Sequence, residues 1–272
     1  MSETRMPTAL TIAGSDSGGG AGIQADLKTF SAFRVFGTSV VTGLTAQNTL
    51  GVRGVELPTT DFITAQLRAV LEDIEVDAVK TGMLATGDII RTVAGMVREF
   101  GLRNLVVDPV MIAASGDALM QHEAAPVMCE HLFPLATVVT PNLDEATFLC
   151  ERKIRTVEEM QEAARAIHAM GPRYVLIKGG HLPGDKVVDL LFDGREFVRR
   201  EGSRIPGEFH GTGCTLSSAI ASGLARGLDV RAAVAAAQSY IALAIQTAPA
   251  VGKGRRPLNH FPEGFVPPEA RR

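Results

Sequence analysis

The segment His210-Gly211-Thr212-Gly213-Cys214-Thr215 stands directly before a run with Leu216, Ile220 and Leu224 on one helical face. Small residues at a helix N-terminus leave backbone N–H groups without intrahelical acceptors, and the helix dipole adds to their pull on an anion. Such a turn suits charge developing on a phosphoryl group in transfer. Cys214 falls in the first turn, where a thiol pKa tends to be lowered, so it is expected to act as a base or a polarising group. The alternative is a small buried hydrophobe. A second segment, Gly14-Ser-Asp-Ser-Gly-Gly-Gly-Ala-Gly22, holds five glycines in nine residues. It either brings backbone close to a ligand or makes a tight strand-to-helix turn. The chain has no strict GxGxxG and no Gly-Lys-Ser/Thr, which removes support for a dinucleotide-binding dehydrogenase and for a Walker-type kinase.

Polar residues recur where apolar runs end. They are Gly14-Ser15-Asp16, Thr45-Ala46-Gln47-Asn48, Lys80-Thr81-Gly82, Asp108-Pro109, Asn142 with Glu145, and Lys178-Gly179-Gly180. In open α/β sheets ligands bind at the carboxyl ends of the strands, so these ends are expected to meet at one rim. Asp108 and Glu145 near a polyphosphate suit Mg²⁺, which takes one or two carboxylates and several waters. Their plainer roles are a turn before Pro109 and a first-turn helix residue. Lys178 either contacts a nucleotide phosphate or pairs with a surface acid.

The elements that must position these residues alternate. Apolar runs at 9–13, 39–42, 52–57, 77–80, 105–107, 137–139 and 174–177 read as strands. Helical periods lie between them, with Asp61 expected to cap one helix and Asp88 to open another. Thr156 to Glu159 matches a capping box, and Asp229 caps a last helix. Val187–Phe192 and Arg195–Arg200 flank Asp193-Gly194 as a hairpin. Alternation of this kind implies a mostly parallel sheet with helices on both faces and a late antiparallel hairpin at one edge. One domain is expected over 1–272, with a core of about 9–261 and frayed ends at 1–7 and 262–272. The basic cluster Lys253, Arg255, Arg256 reads as solvated surface.

The 272 residues carry 27 Lys plus Arg against 30 Asp plus Glu, with 5% aromatics and no Trp. That balance speaks against a nucleic-acid binder. No apolar run is long enough for a membrane span. MSETRMPT has no signal-peptide pattern, and three scattered cysteines make no disulfide framework, so a reducing cytoplasm is expected.

In order along the chain, the segments 9–29, Thr45-Ala-Gln-Asn-Thr49, Lys80-Thr-Gly-Met-Leu84, Val107-Asp-Pro-Val-Met111, Thr140-Pro-Asn-Leu-Asp-Glu-Ala146, Lys178-Gly-Gly-His181 and His210–Thr215 closely resemble the bacterial hydroxymethylpyrimidine/phosphomethylpyrimidine kinase family. The resemblance runs from Ala9 to Phe261. It implies a ribokinase-like three-layer α/β/α sandwich, ATP with Mg²⁺, a small pyrimidine substrate and a place in thiamine biosynthesis. It also implies two successive phosphorylations, first of 4-amino-5-hydroxymethyl-2-methylpyrimidine and then of its monophosphate, and a homodimer. By the family pattern Gln47 would bond the aminopyrimidine edge, with Gly14, Ala21, Asp26, Met83 and Val110 around it. Asp108 and Glu145 match the metal and phosphate region, Asn142, Lys178 and Thr212 the ATP side, and Gly211 to Cys214 the anion hole.

Two departures stand out. Glu208-Phe209 replaces a frequent Asn-Thr pair, and Gly252-Lys-Gly-Arg-Arg256 replaces a glycine- and histidine-rich segment. A pyridoxal kinase on the same fold is the nearest alternative; Gln47 favours the pyrimidine. A silent nucleotide-binding protein would be expected to have lost the anion-hole or metal residues, which this chain keeps.

Overall fold

The structure, a computed structural model, describes residues 5–112, 116–117, 119–180, 182 and 184–269. His181 of the resembling motif, and the chain ends 1–4 and 270–272 expected to fray, lie outside the described residues. In chain order the elements are β1 (Thr8–Asp16), α1 (Gly22–Ala32), β2 (Phe36–Asn48), β3 (Gly51–Glu56), α2 (Thr60–Leu71), β4 (Ala78–Thr81), α3 (Gly87–Glu99) and β5 (Leu105–Val107). Then come α4 (Ala124–His131), β6 (Val138–Val139), α5 (Leu143–Cys150), α6 (Val157–His168), β7 (Tyr174–Ile177), β8 (Lys186–Phe192) and β9 (Phe197–Ser203). Last are β10 (Phe209–His210), α7 (Thr212–Ala225), α8 (Val230–Gln246) and β11 (Arg256–Pro257).

Nine strands form one sheet in the order β3-β2-β1-β4-β5-β6-β7-β8-β9. The six from β2 to β7 pair in parallel. The expected hairpin β8–β9 is antiparallel at one edge. The other edge is antiparallel too, because β3 folds back on β2. Strand β2 is therefore much longer than the apolar run 39–42 suggests. It pairs with β1 as far as Thr45, and beyond that Gln47 is supported by β3.

Period-two alternation sorts the strand side chains between two layers. Leu10, Ile12, Val79, Leu105, Val107, Val139, Val175 and Ile177 pack with α2 to α6. Ala9, Ala78, Val106, Val138 and Leu176 pack with α1, α7 and α8. The expected three-layer α/β/α arrangement follows. Lys80 and its parallel neighbour Thr11 stand on the second face, where apolar residues would continue the pattern.

Helix starts follow hydroxyl caps more than acidic residues. Thr59 accepts from the Phe62 N–H and Thr86 from the Ile89 N–H, both at 3.2 Å. Asp61 and Asp88, expected as the starting residues, instead lie in the first turns of α2 and α3. There a carboxylate answers the helix dipole without serving as the cap. The capping box of Thr156 with Glu159 and the Asp229 cap are both present.

The described ends are tied down further than expected. The Pro7 carbonyl accepts from the Phe36 N–H at 2.8 Å. Past Phe261, the ring of Phe265 packs on Phe33 and Tyr240 with centroids 5.0 and 4.6 Å apart. Tyr240 is fully buried and donates its hydroxyl proton to the His260 carbonyl at 2.8 Å. The aromatic trio thus clamps the C-terminal segment to α1 and α8. Phe265→Ala is expected to lower stability by about 2 kcal/mol, as chemical denaturation would measure. An unchanged midpoint would mean that the segment is not part of the fold.

Candidate active site

The strand ends open into one cavity of about 810 Å³. Gly14, Asp16, Ala21, Gln47, Lys80, Met83, Asp108, Val110, Asn142, Glu145 and Lys178 line it, together with Gly211, Thr212, Gly213 and Cys214. Every residue given a site role by the resemblance reaches this wall except Asp26, whereas the strand-end residues Asn48, Thr81, Gly179 and Gly180 do not line it.

Asp26 lies beneath the wall, fully buried, and its carboxylate is committed. Lys80 Nζ is 2.9 and 2.8 Å from its two oxygens. The hydroxyls of Thr11 and Ser218 each donate to it at 2.6 Å. No lone pair is left over for a pyrimidine, so direct substrate contact by Asp26 is corrected to support of Lys80. The pair knits β1, α1, β4 and α7 together under the cavity floor. Burial alone would lower the Lys80 pKa, but Asp26, with Cys214 and Asp108, outweighs it and raises the value, keeping the ammonium charged.

The wall at the ends of β5 to β7 holds Asp108, Glu145 and Lys178. Lys178 Nζ is 3.0 Å from Asp108 and 3.9 Å from Glu145. Asp108 also accepts from Thr140 Oγ1 at 3.2 Å. Of the two readings of Lys178, the acid it meets is a buried pair rather than a surface one. Glu145 closes a capping box with Asn142: the Glu145 N–H donates to Asn142 Oδ1 at 2.8 Å, and the Asn142 N–H to Glu145 Oε2 at 2.7 Å. Asn142 thereby holds Glu145 in the wall, and its Oδ1 is taken up in doing so. Burial pushes the Glu145 carboxyl up to about 7 despite Lys178, with Asp108 adding to the rise.

Two carboxylates suit a divalent cation that takes its other ligands from phosphate oxygens and water. Among the described residues no cluster of three His, Cys, Asp or Glu side chains offers a closed cage. The donor set therefore fits Mg²⁺ carried on a nucleotide. An incoming cation would favour the ionised form of Glu145.

Helix α7 begins at Gly211, which has φ +85° and no side chain to cap the turn. The first intrahelical bond runs from the Thr215 N–H to the Gly211 carbonyl. The N–H groups of Thr212, Gly213 and Cys214 are thus free of the helix ladder and sit in the cavity wall. A Cβ at Gly211 would come within 1.8 Å of the Gly20 carbonyl oxygen. The two glycine segments therefore meet backbone to backbone, and only glycine fits there.

Cys214 departs from expectation. Burial, opposed by Lys80, pushes its thiol up to about 11, and Asp26 and Asp108 add to the rise. The helix N-terminus does not overcome these neighbours. At pH 7 the side chain is then the protonated thiol. The side chain is neither a standing base nor an isolated hydrophobe, since it sits in the cavity wall.

Two further residues were legible only as motif members. Asp16 Oδ1 accepts from the Gly18 N–H at 2.8 Å, and Oδ2 from Gly20 and Ala21 at 3.0 and 2.9 Å. His210 Nε2 lies 2.8 Å from the same Oδ2. Burial works against this charge, yet the hydrogen bonds from His210 and the loop N–H groups hold the Asp16 carboxyl below its usual value. An Asp two residues before a glycine is a signal for such a turn. Its partner His210, far along the chain, had no signal of its own.

The two departures from the family pattern touch each other. The Arg256 N–H donates to the Glu208 carbonyl at 3.0 Å. Arg255 Nε is 3.3 Å from the Glu208 carboxylate. Segments β10 and β11 pair through these residues beside the cavity, and Arg255 lines its mouth. The basic cluster is therefore partly built into the site and not wholly solvated.

A family model described as phosphomethylpyrimidine kinase matches residues 16–259. The chain belongs to the phosphomethylpyrimidine kinase family. It is 52% identical over 257 residues to a hydroxymethylpyrimidine/phosphomethylpyrimidine kinase of Rhizobium meliloti (strain 1021), covering 93% of this chain and 96% of the relative. Among solved structures it is similar to a Bacillus subtilis pyridoxal kinase in an ADP complex, at 44% identity and a TM-score of 0.88, over 94% of this chain and 98% of the other. A phosphomethylpyrimidine kinase from Clostridium difficile 630 is 45% identical, with a TM-score of 0.78, over 88% of this chain and 99% of the other. The fold of this kinase family is the ribokinase-like one expected from the sequence.

Removing one partner of a buried ion pair leaves an uncompensated charge, which costs about 3–5 kcal/mol. Lys80→Met is expected to lose that much stability in a denaturant titration, and Asp26→Leu with Lys80→Met to recover much of it. A double variant no better than the single one would contradict the assignment of Asp26 to support.

Proposed function

We propose that this kinase transfers the γ-phosphoryl group of ATP to 4-amino-5-hydroxymethyl-2-methylpyrimidine, and then phosphorylates the monophosphate to the diphosphate, in thiamine biosynthesis. The observation that carries the proposal is the free first turn of α7 sharing one cavity with Lys178, Asp108, Glu145 and Gln47. The proposal extends to a single kinase domain over 1–272 with its core at about 9–261, a homodimer and a cytoplasmic location.

The substrate hydroxymethyl oxygen attacks the γ-phosphorus in line as the bond to the ADP oxygen breaks. The Thr212, Gly213 and Cys214 N–H groups, fixed by the helix, meet the charge that grows on the transferring group. Lys178 stands as a fixed cation toward the ATP phosphates, with Thr212 beside it. Mg²⁺, when bound at Asp108 and Glu145 with the nucleotide, would neutralise phosphate charge. A carboxamide offers one donor and one acceptor, so Gln47 can pair with a ring nitrogen and its neighbouring amine. Gly14, Ala21, Met83 and Val110 shape the space around that ring.

With its thiol raised by burial, Cys214 is read as a polarising group in place of a standing base. In a loose phosphoryl transfer the hydroxyl proton can leave late and pass to an oxygen of the transferred phosphoryl group, and the second step attacks from a phosphate oxygen that needs no strong base. ADP release measured with purified protein, ATP and Mg²⁺ tests the reading. Turnover is expected with hydroxymethylpyrimidine and with its monophosphate, above that with pyridoxal. Cys214→Ala is expected to retain both pyrimidine activities within about tenfold. No turnover of either pyrimidine would overturn the function, and a loss confined to the first step would restore the base.

A further inference from the structure

Gln47 is pinned at its backbone by Ser17, whose hydroxyl donates to the Gln47 carbonyl at 2.8 Å and accepts from its N–H at 2.9 Å. Its amide then spans two side chains. Oε1 faces Thr45 Oγ1 at 3.0 Å and Nε2 faces His210 Nε2 at 3.3 Å, two atoms that exchange places when the amide is turned over. Proton bookkeeping decides which end is which. Asp16 Oδ2 lies 2.8 Å from His210 Nε2, and a carboxylate that already accepts three backbone N–H groups has no proton to give. Nε2 must therefore carry the ring proton, and it can only donate. That one proton points to Asp16 at 2.8 Å, so the Gln47 end at 3.3 Å must be the oxygen, which can share the proton, and not the nitrogen, which would set donor against donor. The nitrogen then faces Thr45 Oγ1, which accepts because its own proton goes to the Ser15 carbonyl at 3.0 Å. With the amide the other way round, two donors would meet at His210, and Thr45 would have to share its one proton between the Ser15 carbonyl and Gln47.

We infer that the Asp16–His210 pair is a polarity lock on Gln47, and that it makes the site select an aminopyrimidine edge over the reversed edge of a pyrimidinone. The lock rests on the reading of Gln47 as the pyrimidine contact. His210, through the proton it shares with Asp16, engages one lone pair of Oε1, and Thr45 takes one proton of Nε2. One acceptor and one donor of the amide remain. With that polarity fixed, the acceptor meets an exocyclic amine and the donor meets the adjacent unprotonated ring nitrogen. A 4-oxo analogue carries a carbonyl and a ring N–H at the same places, so it brings acceptor to acceptor and donor to donor. His210 is thus a positioning residue for specificity, acting through Gln47. It is buried, and Gly20 leaves room for it: a Cβ there would fall 2.5 Å from His210 Cδ2.

The test compares the 4-amino substrate with its 4-oxo analogue, as KM or as a competitive inhibition constant, in wild type, His210→Leu and His210→Gln. His210→Leu frees the amide to turn over. The preference for amino over oxo is expected to fall by about tenfold through KM, with kcat much less affected. His210→Gln restores a donor and is expected to return the preference. A merely structural role would weaken both compounds alike, and that result would overturn the lock. Long-range ¹H–¹⁵N correlation spectra of the wild-type enzyme give a second readout that needs no variant. The His210 ring is expected as the Nε2–H tautomer, and an Nδ1–H tautomer would refute the inference. Gln47→Leu separates the two layers. An unchanged KM for the amino compound would remove Gln47 as the contact and the lock with it, whereas a raised KM with an unmoved His210→Leu preference would remove the lock alone.

Discussion

The site depends on one close approach, the backbone of Gly211 against the carbonyl of Gly20. No side chain fits between them, and Gly211 must take a left-handed φ to start α7 there. This contact carries the anion-binding turn of the C-terminal helices onto the glycine loop that follows β1. It also drops His210 onto Asp16, so the residue before the helix organises the loop opposite. Without it, the free N–H groups of α7 and the amide of Gln47 would belong to separate surfaces.

Charge is handled in layers around that junction. Asp26 and Lys80 form a closed pair under the floor and lend shape more than chemistry. Lys178 sits between two buried carboxylates, one of which holds its proton near neutrality. Neutral backbone donors supply the rest. A protein with a formal net charge of -3 can therefore take a triphosphate without a basic surface. Helix termini and fixed dipoles act as partial charges where they are desolvated.

Much of this was legible in the sequence, for reasons that differ by residue. Strand ends with polar residues declared the rim, because parallel strands bury everything except their carboxyl ends. Cys214 and the glycines before it declared the helix start. The thiol was misjudged because its pKa is set by burial and by Lys80, Asp26 and Asp108, three residues distant along the chain. Asp26 was misjudged for the same reason: a lone Asp on a helix does not announce that a lysine on β4 points at it through the core. Asp61 and Asp88 yielded to Thr59 and Thr86 because a hydroxyl two residues earlier reached the N–H at the third helical position. The second edge hairpin, β2 with β3, was hidden because β3 carries exposed residues on both faces.

The central claim is that the first turn of α7 receives the phosphoryl group in flight. It is tested most directly by amide ¹H–¹⁵N spectra of the protein with ADP, Mg²⁺ and aluminium fluoride, set against ADP and Mg²⁺ alone. The account predicts that the Thr212, Gly213 and Cys214 amides move most when the fluoride is added. Shifts confined to other residues, with these three unmoved, would contradict it.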